Sequence, residues 1–532
     1  MSTTYTNPII PGFAPDPSVV SVDGTFFLVN SSFHIFPGLP VYVSKDLKSW
    51  TQIGNAFNRT SQIDLHNATT DAFPIGPNKT LVAALGLFAP TIRYHNGMFY
   101  IVCTNTVRKK GEEFRTDNFF ITTTDIWANE WSDPIWFDLD GIDPSLFFDE
   151  ITGKVYVQGS YRDGEIGAQK CSIRQFEIDI TSGERLSETR PLWGYELAAT
   201  NDGISDIEGP HMYKKDGYYY LLVADGGTFE THRAGISRSR DIWGPYEVYK
   251  GNPVLTATGT DEYVQNVGHA DLFQDGDGTW WAVALGVRAE TGGRSPIGRE
   301  TFLVPVEWPA GEWPVFGRAR LTFERAAISS PASNEILPKP SERVDDVYLR
   351  DAKLDDYEIS AEDNLIKLTP STRGLSAEYG TTTFFGKRQR SSNSIATATL
   401  CLPTEPHVRT GLTLFKENAR HVDISYNSDT HKVTLETCFK LKGEPKMIRE
   451  AAVASEKVQM QIVSSAKSYE FSIRTETDKE WELLGSVDAL EMTACDFTGT
   501  LLGIFAVNTH EEQAASIVTF ESFVVQDACI DA

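Results

Sequence analysis

The most regular feature of the sequence is an aromatic-rich apolar segment that follows a tight polar turn ending in glycine. It occurs five times, after Gly24, Gly97, Gly153, Gly217 and Gly278. Most of these turns read Asp-Gly or Asn-Gly, residues that tolerate the positive φ of a two-residue β-hairpin loop. The glycines lie 56 to 73 residues apart, a spacing that suits a four-stranded antiparallel sheet with loops of varying length. The repeat therefore predicts a five-bladed β-propeller.

A second repeated position precedes each of these turns. Asp16, Ala89, Asp143, Glu208 and His269 each open an apolar segment, eight to ten residues before the corresponding glycine. This nearly constant offset places all five at the start of the first strand of a blade. Because the innermost strands of a propeller converge on its central channel, we expect these residues to meet at one mouth of that channel.

The pattern changes after the last repeat. Residues 326–340 contain three prolines and no aromatic residue, which is typical of a linker. Beyond them, segments such as 394–400 and 469–474 alternate apolar and polar positions between Asn, Asp and Gly turns. We therefore predict an all-β chain in which residues 1–325 form the propeller and residues 343–532 form a β-sandwich of the lectin-like jelly-roll type.

Composition narrows the classes of function. The 532 residues include 48 Lys and Arg against 73 Asp and Glu, a formal charge of −25 at pH 7 that argues against nucleic-acid binding. No run approaches the roughly 18 consecutive apolar residues of a membrane-spanning helix, so no membrane partner is expected. The first residues lack the basic and apolar regions of a secretory signal, and the six cysteines are scattered. We therefore expect a cytoplasmic protein with reduced thiols.

Three carboxylates and a histidine at one mouth would be costly to gather for stability alone, because like charges at close range raise each other's pKa. An isolated Asp or Glu is usually only solvated, but the shared position of Asp16, Asp143 and Glu208 favours a functional site. Cleavage of a glycosidic bond is the reaction best served by two opposed carboxylates, one protonated and one ionised. Glutamate has the higher reference pKa, so Glu208 is the more natural proton donor, with Asp16 as its partner. Asp143 would raise the pKa of Glu208 by repulsion.

Several motifs point to one known family. They are Gly-Phe-Ala-Pro-Asp-Pro-Ser at 12–18, Ser-Phe-His-Ile-Phe-Pro-Gly at 32–38, Ile-Asp-Pro-Ser-Leu-Phe at 142–147, Glu-Gly-Pro-His at 208–211, Gly-His-Ala at 268–270 and Gly-Arg-Glu-Thr at 298–301. Together they resemble the β-xylosidases and α-L-arabinofuranosidases of glycoside hydrolase family 43, over nearly the whole chain. The resemblance implies a five-bladed propeller and net inversion at the anomeric carbon. It also implies Asp16 as general base, Glu208 as general acid and Asp143 as the residue that tunes and positions that acid.

The same resemblance implies roles for two further polar residues. Arg299 would hydrogen-bond the sugar hydroxyls of the innermost subsite; the alternative is an ordinary surface arginine. His269 matches the family's axial histidine, which lies beneath the sugar and in some members holds a hydrated calcium ion; the alternative is a purely structural histidine. No cofactor is required on this interpretation, and a structural calcium stays open.

Aromatic residues would form the walls of the pocket, because sugar rings stack on aromatic faces. Phe33 and Phe88 are the candidates, although Phe88 stands where the related xylosidases carry Trp, and His34-Ile35 replaces their Glu-Trp pair. The width and preference of the pocket are therefore open. Phe497 lies in a segment, 496–499, that resembles a pocket-closing loop of two-domain members, and it is equally consistent with the sandwich core. A closed pocket would make the enzyme exo-acting.

Our main prediction is an inverting exo-β-1,4-xylosidase that releases terminal β-D-xylose from xylooligosaccharides, with α-L-arabinofuranosidase side activity. The nearest alternative is an enzyme whose primary substrate is a terminal α-L-arabinofuranoside, because the two sugars place similar hydroxyls in one pocket. A more distant alternative is a non-catalytic carbohydrate-binding propeller. Homo-oligomers are common in this family, but no interface can be identified from the sequence.

Overall fold

The computed structural model of the chain describes residues 2–76, 79–162, 171–194, 206–328, 341, 343–360, 362, 364–478, 480–510, 512–513 and 516–527. Within these ranges the regular structure consists of β-strands and three short 3₁₀ turns, at Leu354–Asp356, Lys440–Lys442 and Ala489–Met492. The prediction of an all-β chain is confirmed. Among the residues so described, no helix is long and apolar enough to span a bilayer.

The N-terminal part contains five antiparallel sheets in which the chain runs from strand to neighbouring strand. The first two consist of β2 Ser18–Val22, β3 Thr25–Val29, β5 Gly38–Ser44 and β6 Thr51–Phe57, and of β10 Thr91–His95, β11 Met98–Val107, β12 Arg115–Thr123 and β13 Ile135–Phe137, with β9 Gly86–Leu87 added to β11. The third consists of β14 Ile142–Asp149, β15 Lys154–Arg162, β16 Cys171–Ile178 and β17 Arg190–Trp193.

The fourth and fifth sheets follow the same plan. They consist of β18 Glu208–Lys215, β19 Tyr218–Asp225, β20 Arg233–Ser239 and β21 Glu247–Val248, with β22 Leu255–Thr256 added to β20, and of β23 Val264–Gln274, β24 Trp280–Arg288, β25 Glu300–Glu307 and β26 Val315–Phe316. Each repeated glycine lies in the turn between the first and second strands of its sheet. At Asp23-Gly24 both residues have positive φ, 49° and 75°, as the hairpin chemistry of the turn requires.

The first strands of these sheets form a ring. Strands β2, β10, β14, β18 and β23 contact one another in that order, and β23 returns to β2. Aromatic pairs join neighbouring sheets farther out, among them Phe27 with Trp127 and Tyr156 with Trp243, each with ring centroids 5.5 Å apart. A ring of radially arranged antiparallel sheets is the architecture of a β-propeller. Strand β1 (Ser2–Thr6) pairs with β27 (Thr322–Ala326), so the two ends of this part of the chain are joined.

The segment predicted as a linker lies mostly outside the described residues, which resume after position 340. The C-terminal part forms two large antiparallel sheets. One contains, in order across the sheet, β36 Lys446–Ala452, β35 Lys432–Phe439, β34 Arg420–Asn427, β33 Val408–Glu417, β41 Leu501–Asn508, β31 Phe384–Arg388, β28 Asp346–Leu349 and β4 Ile35–Phe36. The other contains β29 Tyr357–Ser360, β30 Leu365–Leu368, β42 Val518–Asp527, β32 Ser394–Cys401, β37 Lys457–Ser464, β38 Ser468–Thr475 and β39 Glu482–Asp488.

Two strand pairings tie the C-terminal sheets to the propeller. Strand β4 lies in the connection between β3 and β5 of the first propeller sheet. It nevertheless pairs with β28 of the C-terminal part, with Ile35 opposite Leu349. A hairpin of the propeller, β7 (Thr70–Gly76) and β8 (Lys79–Ala84), accepts β40 (Cys495–Asp496) as a parallel third strand. The pairing of β40 with β8 places the segment that follows β40 at the mouth of the ring.

Candidate active site

The first strands carry local backbone irregularities at the positions that the repeat singled out, although His269 lies in the middle of β23 and not at its predicted start. Asp16, Asp143 and His269 have φ of 52°, 54° and 46°, in the left-handed region that residues other than glycine rarely adopt. The ladders of β14, β18 and β23 also shift register beside Asp143, Glu208 and His269. Strained backbone of this kind concentrates at functional sites, where the surrounding structure enforces it. The repeat therefore marks a site as well as a fold.

The carboxylate of Asp16 accepts hydrogen bonds from two sides. Ser31 Oγ donates to Oδ2 over 2.6 Å, and Arg299 Nη1 donates to Oδ1 over 3.0 Å. His269 Nδ1 lies 3.6 Å from the same Oδ1 atom. The side chains of Asp16, Arg299 and His269 are all at least nine-tenths buried. These contacts hold the carboxylate in one orientation at the mouth of the ring.

Glu208, which is partly exposed, and Asp143, which is buried, share a negatively charged environment. Burial, followed by repulsion from Asp143, Asp206 and Asp16, raises the pKa of Glu208 well above its usual range, and Arg299 opposes the rise. Burial raises the pKa of Asp143 to about 6, although the nearby His269 opposes it. Asp143 Oδ2 also accepts the backbone N–H of Gly209 over 3.1 Å, which links it to the residue next to Glu208. With its pKa raised in this way, the Glu208 carboxyl group can hold a proton near neutral pH and donate it.

The Glu-Gly-Pro-His segment needs its glycine. Gly209 has φ of 54°, and a Cβ at this position would lie 2.6 Å from His269 Nε2. Any side chain would therefore push His269 away from Asp16 or displace Glu208. The glycine allows the two strands β18 and β23 to bring their polar residues together.

Arg299 connects the two parts of the chain at the site. Besides Asp16, its guanidinium donates to the backbone carbonyl of Phe497, over 3.2 Å from Nε and 3.1 Å from Nη2, and to Thr228 Oγ1 over 3.0 Å. Gly298 permits this approach, since a Cβ there would lie 2.5 Å from the carbonyl oxygen of Thr498. The structure thus places Arg299 in the site, buried rather than on the surface.

Three phenylalanines form one wall beside the carboxylates. The Phe33 ring stacks on Phe497, with centroids 5.7 Å apart and an interplanar angle of 27°, and contacts Phe88 at 5.3 Å. Phe497 meets Phe88 edge to face at 5.9 Å, and the Arg299 guanidinium lies 5.1 Å from the Phe497 ring centroid. The structure therefore brings Phe497 to the propeller, next to Phe33 and Arg299, rather than into the core between the two sandwich sheets.

A polar ring that the sequence reasoning missed lies around Asp271. This buried carboxylate accepts hydrogen bonds from Ser18 Oγ and Tyr213 Oη, each over 2.6 Å, and from Arg93 Nη1 over 2.9 Å. His211 Nδ1 lies 3.0 Å from Arg93 Nη2 and 3.2 Å from Ser145 Oγ. These residues come from the first strands of all five sheets. A signal existed, because Ser18, Ser145 and Asp271 each follow a predicted site residue by two positions.

A fourth carboxylate, Asp206, also escaped the sequence reasoning. Burial raises its pKa, with Arg162 in opposition, and its negative charge contributes to the raised pKa of Glu208. Cys171 Sγ lies 3.9 Å from Asp206 Oδ1, and burial together with these two carboxylates raises the pKa of that thiol to about 12. No repeat marks Asp206, because it belongs to the loop that leads into β18.

His34, which replaces a residue of the xylosidase Glu-Trp pair, is buried at the junction of the two parts. Neither ring nitrogen has a hydrogen-bond partner among the described residues. Burial, with help from Arg350, lowers its pKa to about 3, so the ring is neutral near pH 7. Its ring meets Phe415 of β33 edge to face at 6.1 Å.

The residues near His269 do not form a direct metal site. Calcium takes six to eight oxygen ligands, and the Asp16 carboxylate beside His269 is already engaged by Arg299 and Ser31. Over the ranges that the structure describes, no group of three or more His, Cys, Asp or Glu side chains could hold a metal ion. A directly coordinated calcium therefore does not fit here.

Comparison with known proteins gives consistent matches. Residues 5–314 match the family model described as glycosyl hydrolases family 43, and residues 347–526 match the β-xylosidase C-terminal concanavalin A-like domain. The chain is 32% identical to the non-reducing end α-L-arabinofuranosidase BoGH43B of Bacteroides ovatus, over 94% of this chain and 91% of that protein. It is 32% identical to a xylosidase/arabinosidase of Butyrivibrio fibrisolvens, over 98% and 99% of the two chains. The crystal structure of a xylan β-1,4-xylosidase from Bacillus halodurans superposes with a TM-score of 0.84 at 25% identity, covering 98% of this chain and all of that one.

Proposed function

This chain belongs to glycosyl hydrolases family 43, and from that premise we propose that it is an inverting exo-glycosidase that releases terminal β-D-xylose from xylooligosaccharides. The relatives are glycosidases named for xylosides, arabinosides or both, so the reaction class is common to them. The observation that carries the proposal is the convergence of Asp16, Asp143 and Glu208 around Arg299 and His269 at the mouth of the ring.

We propose distinct roles for the three carboxylates. Glu208, whose pKa is raised, donates a proton to the glycosidic oxygen as the bond to the anomeric carbon breaks. Asp16 accepts a proton from the water that attacks the opposite face of the sugar, which inverts the configuration at that carbon. Asp143 holds the segment of Glu208 through the Gly209 N–H and raises its pKa.

We propose that the substrate enters a closed pocket from its non-reducing end. The wall of Phe33, Phe88 and Phe497 supports this, because it combines rings from both parts of the chain beside Arg299. Arg299 is the candidate for hydrogen bonds to the sugar hydroxyls. On this proposal the five sheets act as five propeller blades, residues 1–325 and 343–532 are the two domains, and the second domain supplies one wall of the pocket of the first.

An exo-α-L-arabinofuranosidase is the second candidate function, and the name of the Bacteroides ovatus relative favours it. The replacement of Trp by Phe at position 88 and of Glu-Trp by His34-Ile35 also changes the pocket relative to the xylosidases. Relative turnover of 4-nitrophenyl β-D-xylopyranoside and 4-nitrophenyl α-L-arabinofuranoside discriminates the two. A larger kcat/KM on the arabinofuranoside than on the xyloside would mean that the enzyme is primarily an α-L-arabinofuranosidase.

The deciding experiment follows xylobiose hydrolysis by proton NMR for the unmodified protein and for Glu208→Ala. We expect α-xylose as the first product and a loss of roughly 10²- to 10⁴-fold in kcat for the variant, the usual contribution of a general acid. Glu188→Ala, which removes an exposed glutamate, is the control and should retain full activity. Initial β-xylose would contradict the role of Asp16. Binding of xylobiose without any release of xylose would favour the non-catalytic alternative.

We propose that catalysis needs no cofactor, with calcium limited to a water-mediated structural role near His269. Dialysis against EDTA should then leave kcat/KM unchanged, because the proposed proton transfers use only side chains. Activity measured before dialysis, after it, and after calcium is restored checks this. Loss of activity that calcium alone restores would show that the ion is required.

A further inference from the structure

A second cluster of reactive side chains lies in the C-terminal domain, away from the pocket carboxylates. Ser376 Oγ is 2.7 Å from His421 Nε2, and His421 Nδ1 is 3.0 Å from Asp423 Oδ1. Cys438 Sγ lies 3.2 Å from Ser376 Oγ. A nucleophile, an imidazole and a carboxylate in hydrogen-bonded sequence form the arrangement that activates hydroxyl and thiol groups. Nothing in the glycosidase reaction uses these four residues.

The carboxylate end of the cluster is firmly held. Asp423 also accepts hydrogen bonds from Thr413 Oγ1 over 2.8 Å and from Arg409 over 3.1 Å, and Arg409 in turn pairs with Glu436. Both Asp423 and His421 are almost fully buried on β34. These contacts fix the imidazole with Nδ1 toward the carboxylate and Nε2 toward Ser376.

The charges in the cluster favour an ion pair. Burial alone would lower the pKa of His421, but Asp423 and Cys438 together outweigh it and raise that pKa to about 9, so the ring is an imidazolium near neutral pH. Burial would raise the pKa of Cys438, but the hydrogen bonds and charge of His421 and the hydroxyl of Ser376 lower it overall. Lys440 Nζ donates to the Ser376 carbonyl over 2.6 Å, which helps to hold the Ser376 backbone beside the cluster.

These charges identify the nucleophile of the cluster. An imidazolium cannot accept a proton from Ser376, so the serine is not activated as it is in a serine hydrolase. Instead the His421 Nε2–H donates to Ser376 Oγ, and the hydroxyl is free to donate to Cys438 Sγ. The thiolate is therefore the group that the arrangement stabilises, and it is the nucleophile in thiol chemistry.

We propose that Cys438 is a modification site that exchanges with small disulfides and related sulfenyl electrophiles, with Ser376, His421 and Asp423 as its positioning residues. In the exchange, the Cys438 sulfur attacks one sulfur of the reagent and a new S–S bond forms. The original bond of the reagent breaks, and its other half leaves with the electron pair. Cys438 is buried and Ser376 beside it is partly exposed, so we expect only small reagents to reach the sulfur.

The test is the labelling of the folded full-length protein by methyl methanethiosulfonate at about pH 7, followed by peptide mass spectrometry of each cysteine. The thiolate attacks the sulfenyl sulfur, methanesulfinate leaves, and the cysteine carries a methylthio group. Cys401 and Cys495 are internal controls, because both are partly exposed and both have a raised pKa. We expect Cys438 to be labelled first. Labelling of Cys438 only after Cys401 and Cys495, or only on unfolding, would overturn the proposal.

Substitution of His421 tests whether the hydrogen-bonded cluster, and not solvent access alone, sets the reactivity of Cys438. In His421→Gln the side chain keeps a hydrogen bond but loses its charge, so a thiol of ordinary pKa, about 8.5, would be only about 3% ionised at pH 7. We expect the labelling rate of Cys438 to fall about tenfold or more, while Cys401 and Cys495 keep their rates and show that the fold is intact. Ser376→Ala, at a partly exposed position, provides the same comparison if the first variant does not fold. Unchanged Cys438 rates in a folded variant would refute the role of the cluster.

Discussion

At the scale of single residues, burial and the carboxylates around Glu208 together raise its pKa. Burial contributes most to its raised pKa, and the charges of Asp143, Asp206 and Asp16 add to it. Asp143 and Asp16 belong to the repeated positions, whereas Asp206 does not. Asp206 therefore allows the charge effect on Glu208 to be tested without removing a residue that the proposed reaction needs.

We predict that Asp206→Asn moves the alkaline limb of the pH profile of kcat to lower pH. With one negative charge removed, Glu208 loses its proton at a lower pH, and the protonated form that acts as the acid disappears earlier. The activity at the acid side of the optimum should change little. The exposed Asp261→Asn is the matched control. A profile of Asp206→Asn that coincides with that of the unmodified protein would rule out this contribution.

At the scale of elements, the site depends on a contact between the loop that precedes β25 and the segment that follows β40. Gly298 lies against Thr498 and Gly499, and this packing presents the Phe497 carbonyl to Arg299. The parallel pairing of β40 with β8 holds the same segment from the other side. Phe497 thus joins the aromatic wall from a segment that is distant in the sequence from Phe33 and Phe88.

We predict that Gly298→Ala lowers kcat/KM by about tenfold or more, because its Cβ would meet the Thr498 carbonyl at 2.5 Å and push the Phe497 segment outward. Gly293→Ala is the matched control. It has a similar positive φ, 76° against 82°, but nothing lies within 4 Å of its Cβ. Kinetics on an aryl xyloside measure the effect. Equal losses in the two variants would mean that backbone strain, and not the loop contact, is responsible.

The predictable part of the fold is the part encoded over short distances. Asp-Gly and Asn-Gly turns favour a hairpin through the φ of two residues, so four such turns, and a fifth that reads Thr-Gly, were visible in the sequence, and all five join the first two strands of a sheet. The pairing of β4 with β28 was not visible. Short strands whose partner lies about 300 residues away leave no local pattern, because register is set by what packs on each face.

At the scale of the whole molecule, the junction of the two parts carries a pair of carboxyl groups. Burial and a hydrogen bond with Asp64 of the propeller raise the pKa of Asp351, in the C-terminal part, to about 7. Asp351 Oδ1 also accepts the backbone N–H of Leu65 over 2.7 Å. The contact between Asp64 and Asp351 is therefore most stable while the pair of carboxyl groups keeps a proton.

We predict that this pair makes the folded protein less stable as the pH rises. The folded pKa of Asp351 lies above its unfolded value of about 3.9, so its contribution is complete below about pH 4 and is lost as the pH rises through about 7. In Asp351→Asn, the thermal midpoint should fall less between these two pH values than in the unmodified protein. Asp355→Asn, an exposed neighbour, serves as control. Parallel pH curves for the unmodified protein and Asp351→Asn would contradict the assignment.

The sequence by itself determined the all-β class, the repeat of strands and turns, and the positions from which Asp16, Asp143, Glu208 and His269 converge. Each of these follows from spacing within one repeat, since equivalent positions of radially arranged sheets must face the same axis. The tertiary structure alone decided that Phe497 reaches Arg299 and Phe33, that Asp271 organises a polar ring, and that Ser376, His421, Asp423 and Cys438 form a second cluster. These contacts join residues far apart in the chain, and burial of charge and close packing in three dimensions bring them together.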